Sequence, residues 1–180
     1  MIITVDTREQ RPYNFACITP PPVVEVATLG AGDYSLKGFE DQVAIERKSL
    51  IDAFSTFGAG RKRFERELER LARLRWAAVV IEADWDTIVL RPPAWSQLPP
   101  KTVVSSVAAW CQRYQVHFWT CPNRAFAEKY TFRLLERFWK DREKEGSGTS
   151  TATTSSCFTI PIPRAGRRCT PWCCPRSRRQ

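Results

Sequence analysis

Glu46 and Lys48 stand two residues apart at the end of a short apolar run, Val43-Ala44-Ile45-Glu46-Arg47-Lys48. Alternate side chains of a strand share a face, so the acid and the amine project together, roughly 7 Å apart, while Arg47 points the other way. Charges on an otherwise apolar strand are costly to desolvate unless something engages them. A divalent metal ion bound beside a phosphodiester would engage both. Two more acids stand early in the chain at turns or strand ends: Asp6, closing Ile2 to Val5 and followed by Arg8 and Glu9, and Asp33, delivered by Gly30-Ala31-Gly32. Carboxylates are the oxygen ligands that Mg²⁺ or Mn²⁺ prefers, with water and a substrate phosphate completing the shell. Such an ion polarises a phosphoryl oxygen and acidifies its water. Lys48 would then orient the water, stabilise the pentacovalent charge, or act as a base with its pKa depressed by a neighbouring cation. The sequence leaves these three roles open.

Each residue also has an ordinary reading. Asp6 or Asp33 alone fits a turn, and Glu46 with Lys48 fits an edge-strand pair worth under ~1 kcal/mol. Asp52, in the first turn after Ser49, fits a helix N-terminus. Glu82 marks the end of an apolar strand, and His117, the one histidine, fits a packed position in Val-His-Phe-Trp-Thr. It is the joint arrangement of acids and amine that points to chemistry.

Eleven elements position these groups. Strands are expected at Ile2–Val5, Val23–Leu29, Tyr34–Leu36 and Gln42–Lys48, the third pairing with the fourth across a polar turn. Ser49 caps a short helix, Leu50–Phe57, and Arg61–Arg75 forms a second, with Phe64, Leu68, Leu71 and Ala72 at helical spacing. Trp76–Ala83 reads as a buried parallel strand, and Asp84–Val89 as a helical turn. Lys101–Tyr114 reads as a helix with Val104, Val107, Ala108 and Cys111 inward; Gln115–Cys121 is a last strand, and Asn123 caps a long helix from Arg124 to about Glu145. An antiparallel opening followed by strand–helix–strand crossovers gives a mixed central sheet flanked by helices, an α/β class.

The chain is long enough for one domain with a real core, and seven Trp and ten Phe supply it. No signal peptide or membrane span is evident, so a cytoplasmic protein with cysteines as thiols is expected. The net charge is +9, but six Arg and no acid lie beyond Gly146; residues 1–146 hold 22 basic and 19 acidic groups, or +3. A polyanion-binding domain must therefore localise its positive charge. The first basic residues of the second helix, Arg61, Lys62 and Arg63, with Arg8, are the candidates to face DNA phosphates. Residues 146–180 read as a Gly/Ser/Thr linker and a basic, disordered tail whose Cys-x3-Cys-Cys spacing is a poor match for a zinc site.

The run Gly32-Asp33-Tyr34 … Glu46-Arg47-Lys48-Ser49-Leu50-Ile51-Asp52 resembles the GD…ERKxxxD signature of the XPF family of structure-specific endonucleases, and Val5-Asp6-Thr7-Arg8-Glu9 is similar to that family's opening strand and acidic turn. The resemblance covers about residues 1–145. It implies a restriction-endonuclease-like core that uses Mg²⁺ or Mn²⁺ to hydrolyse one DNA strand near a flap, fork or junction, in repair or recombination. By position it implies Asp33 and Glu46 as metal ligands, Asp6 and Glu9 completing the acidic site, Lys48 as catalytic lysine, and Arg47 and Asp52 in supporting roles. The family's helix-hairpin-helix and helicase portions have no counterpart in these residues, so a stand-alone bacterial or phage nuclease module is expected. A non-catalytic DNA-binding or partner subunit is the alternative, and a nuclease of duplex or four-way DNA another. Self-association as a homodimer through Phe138, Trp139 or their neighbours is also expected.

Overall fold

The computed structural model describes residues 1–147. Six strands form one mixed sheet: β1 (Ile2–Asp6), β2 (Val23–Ala27), β3 (Tyr34–Leu36), β4 (Val43–Lys48), β5 (Trp76–Ile81) and β6 (His117–Thr120), in the order β2-β1-β3-β4-β5-β6. Five helices accompany them: α1 (Leu50–Phe57), α2 (Arg61–Leu71), α3 (Trp85–Leu90), α4 (Pro100–Tyr114) and α5 (Arg124–Ser147). Strands β4, β5 and β6 run parallel, joined by the helical crossovers α1–α2 and α3–α4, while β3 lies antiparallel to both β1 and β4.

The period of two along β4 and β5 divides the core. Ala44, Ala77, Val79 and Ile81 face a cluster built on Phe54, Phe57, Phe64, Leu68 and Trp110 from α1, α2 and α4. Val43, Ile45, Ala78 and Val80 face a second cluster with Tyr13, Phe15 and, from α5, Phe132 and Leu135. Continuing the alternation places Glu46 and Lys48 on the α1–α2 side, and Arg47 and Glu82 on the α5 side.

Four expectations change. The opening is not antiparallel throughout, because β1 and β2 pair in parallel, Ile2 opposite Val23; the connection 7–22 is long enough to carry the chain back to the starting end of the sheet. α4 buries Val103, Ser106, Val107 and Trp110 rather than Val104 and Ala108. Its sequence offers two adjacent apolar stripes, and Trp110 settles the choice by stacking on Phe57 and Phe118 and meeting Phe64 edge-on. His117 is exposed on the β6 edge, its ring stacked on Trp76 at 5.5 Å. Phe138 and Trp139 turn inward to the second cluster, Phe138 against Phe39, so they are not the exposed aromatics of α5. The described cysteines, Cys17, Cys111 and Cys121, are free thiols. No described helix is long and apolar enough to cross a membrane. α5 runs through Gly146 and Ser147, the first two residues of the expected linker; the rest of that linker and the tail, with Cys157, Cys169, Cys173 and Cys174, lie outside the described residues.

The α4 assignment predicts unequal costs for neighbouring valines. Val103→Ala, at a fully buried site, is expected to lower unfolding free energy by about 1–3 kcal/mol, and Val104→Ala by under ~0.5 kcal/mol. Urea unfolding of the two variants measures both; equal losses would contradict the observed face.

Candidate active site

Gly32 is the one residue type its position admits. Its φ is +73°, and a Cβ there would stand 2.9 Å from the Ala44 Cβ. The turn it makes fixes Asp33 between two strands: the Asp33 N–H donates to the Ile45 carbonyl at 2.9 Å, and its carbonyl accepts from the Asp6 N–H at 2.8 Å. The side chain is held as well, Oδ2 accepting from the Arg47 N–H at 2.7 Å. Asp33 thereby reaches the end of β4 where Glu46 and Lys48 project. Ser49 ends the strand and begins α1; its Oγ accepts from the Asp52 N–H at 3.1 Å and donates to Asp52 Oδ2 at 2.6 Å. α2 then returns across the opening. The result is a cleft of about 440 Å³ walled by Glu46, Lys48, Asp52, Arg63, Phe64 and Glu67, in the range of about 300–1,000 Å³ typical of ligand sites.

Lys48 Nζ donates to Glu46 and lies 5.3 Å from the centre of the Phe64 ring. Burial by itself would lower its pKa, but Glu46 foremost, then Asp33 and Asp52, hold the ammonium above its ordinary value. Positioning and charge stabilisation, two of the three roles open to Lys48, both use an ammonium. Asp33 shows the converse effect. Burial and then the Glu46 charge push its carboxyl up to about 7, against the opposing pull of the Arg47 N–H and Lys48. Two carboxylates held together with too little positive charge are suited to a hard cation. The donors fit as well: Asp33 Oδ1 and Glu46 Oε2 accept no hydrogen bond among the described residues.

The other expected acids are engaged elsewhere. Asp6 takes the Arg8 side chain in a fork, at 2.7 and 2.8 Å, and the Leu29 N–H at 2.7 Å. Burial would raise its pKa, but these bonds lower it. On the α5 side, Glu9 receives Arg47 at 3.1 and 3.2 Å. Arg47 also meets Glu82 at 3.1 Å, and Glu82 accepts from Arg124 at 2.8 Å and the Tyr13 hydroxyl at 2.9 Å. Burial would lower the Arg47 pKa, but Glu9 and Glu82 raise it instead. The four acids named from the sequence thus divide: Glu46 walls the cleft and Asp33 stands within reach of its charge, while Asp6 and Glu9 are taken up by arginines. No three Asp, Glu, His or Cys side chains among the described residues converge as a ready ion cage.

The basic candidates also separate. Arg63 lines the cleft and is exposed; Lys62 is exposed but outside the lining. Arg61 turns toward α4, donating to Ser106 Oγ at 2.7 Å, pairing with Glu65 at 3.2 Å and stacking over Trp110 at 4.6 Å. Arg8 is committed to Asp6 and the Leu29 carbonyl. Two cleft residues, Phe64 and Glu67, had no place in the sequence reading of the site. Gly60, Arg63, Phe64 and Glu67 do share one helical stripe, the signal that would have found them.

The ERCC4 domain matches residues 5–134. Two solved structures of XPF from Aeropyrum pernix share the fold: one at 18% identity and TM-score 0.62, covering 89% of this chain and 70% of that one. The other, a complex with DNA, aligns at 20% identity and TM-score 0.59, covering 80% of this chain and 66% of that one, just under two thirds. No curated protein matches. The chain belongs to the ERCC4 domain family, with the restriction-endonuclease-like fold of XPF nuclease domains.

The raised Asp33 pKa sets a pH signature. An acid whose pKa is raised in the folded state stabilises the fold fully below its unfolded value, about 4, and that stability is lost as pH rises through about 7. Asp33→Asn keeps a side-chain acceptor without the charge. In chelator, the urea midpoint of the variant is therefore expected to exceed that of the wild type at pH 8, with the gap closing toward pH 4. A variant no more stable at pH 8 would contradict the crowded carboxylate pair.

Proposed function

We propose that this member of the ERCC4 domain family is a divalent-metal-dependent endonuclease that hydrolyses a phosphodiester in branched DNA, in repair or recombination. The observation that carries the reading is that Glu46 and Lys48 wall one cleft while the β4 backbone at Arg47 holds the Asp33 carboxylate within reach of both their charges. Asp33 and Glu46 would hold Mg²⁺ or Mn²⁺, whose chemistry when bound is to polarise a phosphoryl oxygen and acidify water. Lys48, kept as an ammonium over Phe64, supplies a fixed positive charge where the attacked phosphate gains negative charge. Arg63 on the facing wall takes a neighbouring phosphate. Asp52, bonded to Ser49, holds the start of α1 and adds an acid at the rim of the cleft. Arg47 works from behind the sheet: its N–H orients the Asp33 carboxylate while its side chain is anchored by Glu9 and Glu82. Glu9, expected as a ligand, is assigned this supporting work instead, and Asp6 holds Asp33 through its backbone N–H. Water attack would leave 5′-phosphate and 3′-hydroxyl ends, as the XPF resemblance implies. Preference for branches and action on DNA draw support from the likeness to XPF, one of whose solved structures is a complex with DNA.

Self-association belongs to the proposal, through a different face from Phe138 and Trp139. Trp119 on the β6 edge is 38% exposed and Phe126 on α5 49%; Tyr130 packs against both rings, making a continuous aromatic patch. Phe126→Glu is expected to give a monomeric mass in sedimentation at ~10 µM, where the wild type gives a dimer. A monomeric wild type would remove the dimer from the proposal.

Cleavage of labelled flap, fork, four-way and duplex DNA in Mg²⁺ or Mn²⁺ tests the activity. Asp33→Asn and Lys48→Ala are expected each to lower the rate by at least ~100-fold while DNA binding persists. Binding without cleavage by the wild type under either ion would identify a DNA-binding or partner subunit, and equal cleavage of duplex would remove the branch preference.

A further inference from the structure

We infer that Glu67 is a positioning residue for the catalytic aspartate, acting through the backbone of Gly32. The inference rests on the nuclease reading for its effect on rate, but the contact itself stands apart from that reading. Glu67 Oε1 accepts the Gly32 N–H at 3.1 Å across the gap between α2 and the β2–β3 turn. Its Oε2 accepts from Arg70, so its charge is balanced within α2. With that charge neutralised locally, the part Glu67 plays is to accept a hydrogen bond.

Gly32 is where such a bond has leverage. Its backbone is left-handed, and it lies too close to Ala44 and Ile45 to carry a side chain. Asp33 follows directly, and its own N–H and carbonyl are taken by β4 and β1. The turn can therefore relax only on the side Glu67 holds. Ala31, its middle residue, packs into the same core cluster as Phe64 and Leu68 of α2, so the helix and the turn move as neighbours. α2 has no side-chain cap on its first turn, where Gly60 stands at the N-cap. Glu67, one helical turn beyond Arg63, thus ties the wall that meets DNA to the turn that presents Asp33. Arg63 and Glu67 share the stripe lining the cleft, so the docking that sets Asp33 also sets how far Arg63 stands from Lys48.

Full-length Glu67→Ala and Glu67→Gln separate this role from others. In the alanine variant the Gly32 amide loses its acceptor, and its hydrogen exchange is expected to quicken by at least ~10-fold. Single-turnover cleavage at saturating DNA is expected to fall by about 10- to 100-fold, the range a small misplacement of a reacting group produces. DNA affinity in chelator should stay within about twofold, because no phosphate contact is removed. Glutamine offers the same acceptor without charge, and should restore Gly32 protection and cleavage to within about threefold of the wild type. Wild-type cleavage by the alanine variant would overturn the inference. So would a glutamine variant that protects Gly32 yet cleaves as poorly as alanine, since Glu67 would then act through its charge. If the alanine variant does not fold, the glutamine variant decides alone on the same two readouts. A wild type that cleaves nothing would defeat the nuclease reading, whereas an unprotected Gly32 amide in a cleaving wild type would defeat only the role of Glu67.

Discussion

The structure depends on the backbone lock around Asp33. Its N–H is bonded to β4, its carbonyl to β1, and its carboxylate to the β4 backbone at Arg47. Three strands meet in those bonds, and the short β3 owes its place in the centre of the sheet to them. A residue held by both its backbone groups and its carboxylate loses little further entropy on engaging a ligand, which is what a site built for one geometry requires. The same fixing carries an electrostatic cost, because burial, and then the charge of Glu46, raise the proton affinity of Asp33. The fold is thus organised to hold Asp33, buried, within reach of the Glu46 charge.

The sheet resolves the resulting charge problem by alternation. Glu46 and Lys48 fall on the cleft face, while Arg47 falls on the other and enters a network with Glu9, Glu82, Arg124 and Tyr13. Buried ion pairs gain little net stability, because desolvation offsets attraction, but breaking one leaves an uncompensated charge. That asymmetry makes the network a device for fixing position. It ties the 7–22 connection, β4, the end of β5 and the start of α5 to one guanidinium, and so holds rigid the backbone N–H that orients Asp33.

Much of this was legible in the sequence wherever a local rule decided the outcome. The alternation of Glu46-Arg47-Lys48, the Ser49 cap with Asp52, the glycine turn before Asp33 and the pairing of β3 with β4 all follow from period, capping and turn chemistry over a few residues. What failed to show was decided by partners distant in sequence. Two apolar stripes compete on α4, and only contact with Phe57, Phe64 and Phe118 selects the one bearing Trp110. The parallel sense of β1 and β2 is set by the return path of residues 7–22. Asp6 and Glu9 have the composition of metal ligands, yet Arg8 and Arg47 take up their oxygens. Phe138 and Trp139 carry the aromatic character of an interface, but Phe39 and the core claim them.

The cleft itself follows from what the α1–α2 connection leaves out. Ser55, Thr56, Ala59 and Gly60 line its inner end, and none reaches far enough to fill it. A Cβ on Gly60 would stand 3.1 Å from the Thr56 Cα, and one on Gly58 3.2 Å from the Phe54 carbonyl oxygen. Small residues let the chain reverse tightly there, so α2 begins close to α1 and then crosses in front of β4. A longer connection would have allowed α2 to settle onto the strand ends and bury Lys48 completely. Instead Phe64 comes under the ammonium, Leu68 and Leu71 take the core, and Arg63 and Glu67 are left at the rim. The groups that would meet a phosphate and the space to admit one therefore have a common origin, the turn between two helices that touches neither Asp33 nor Glu46.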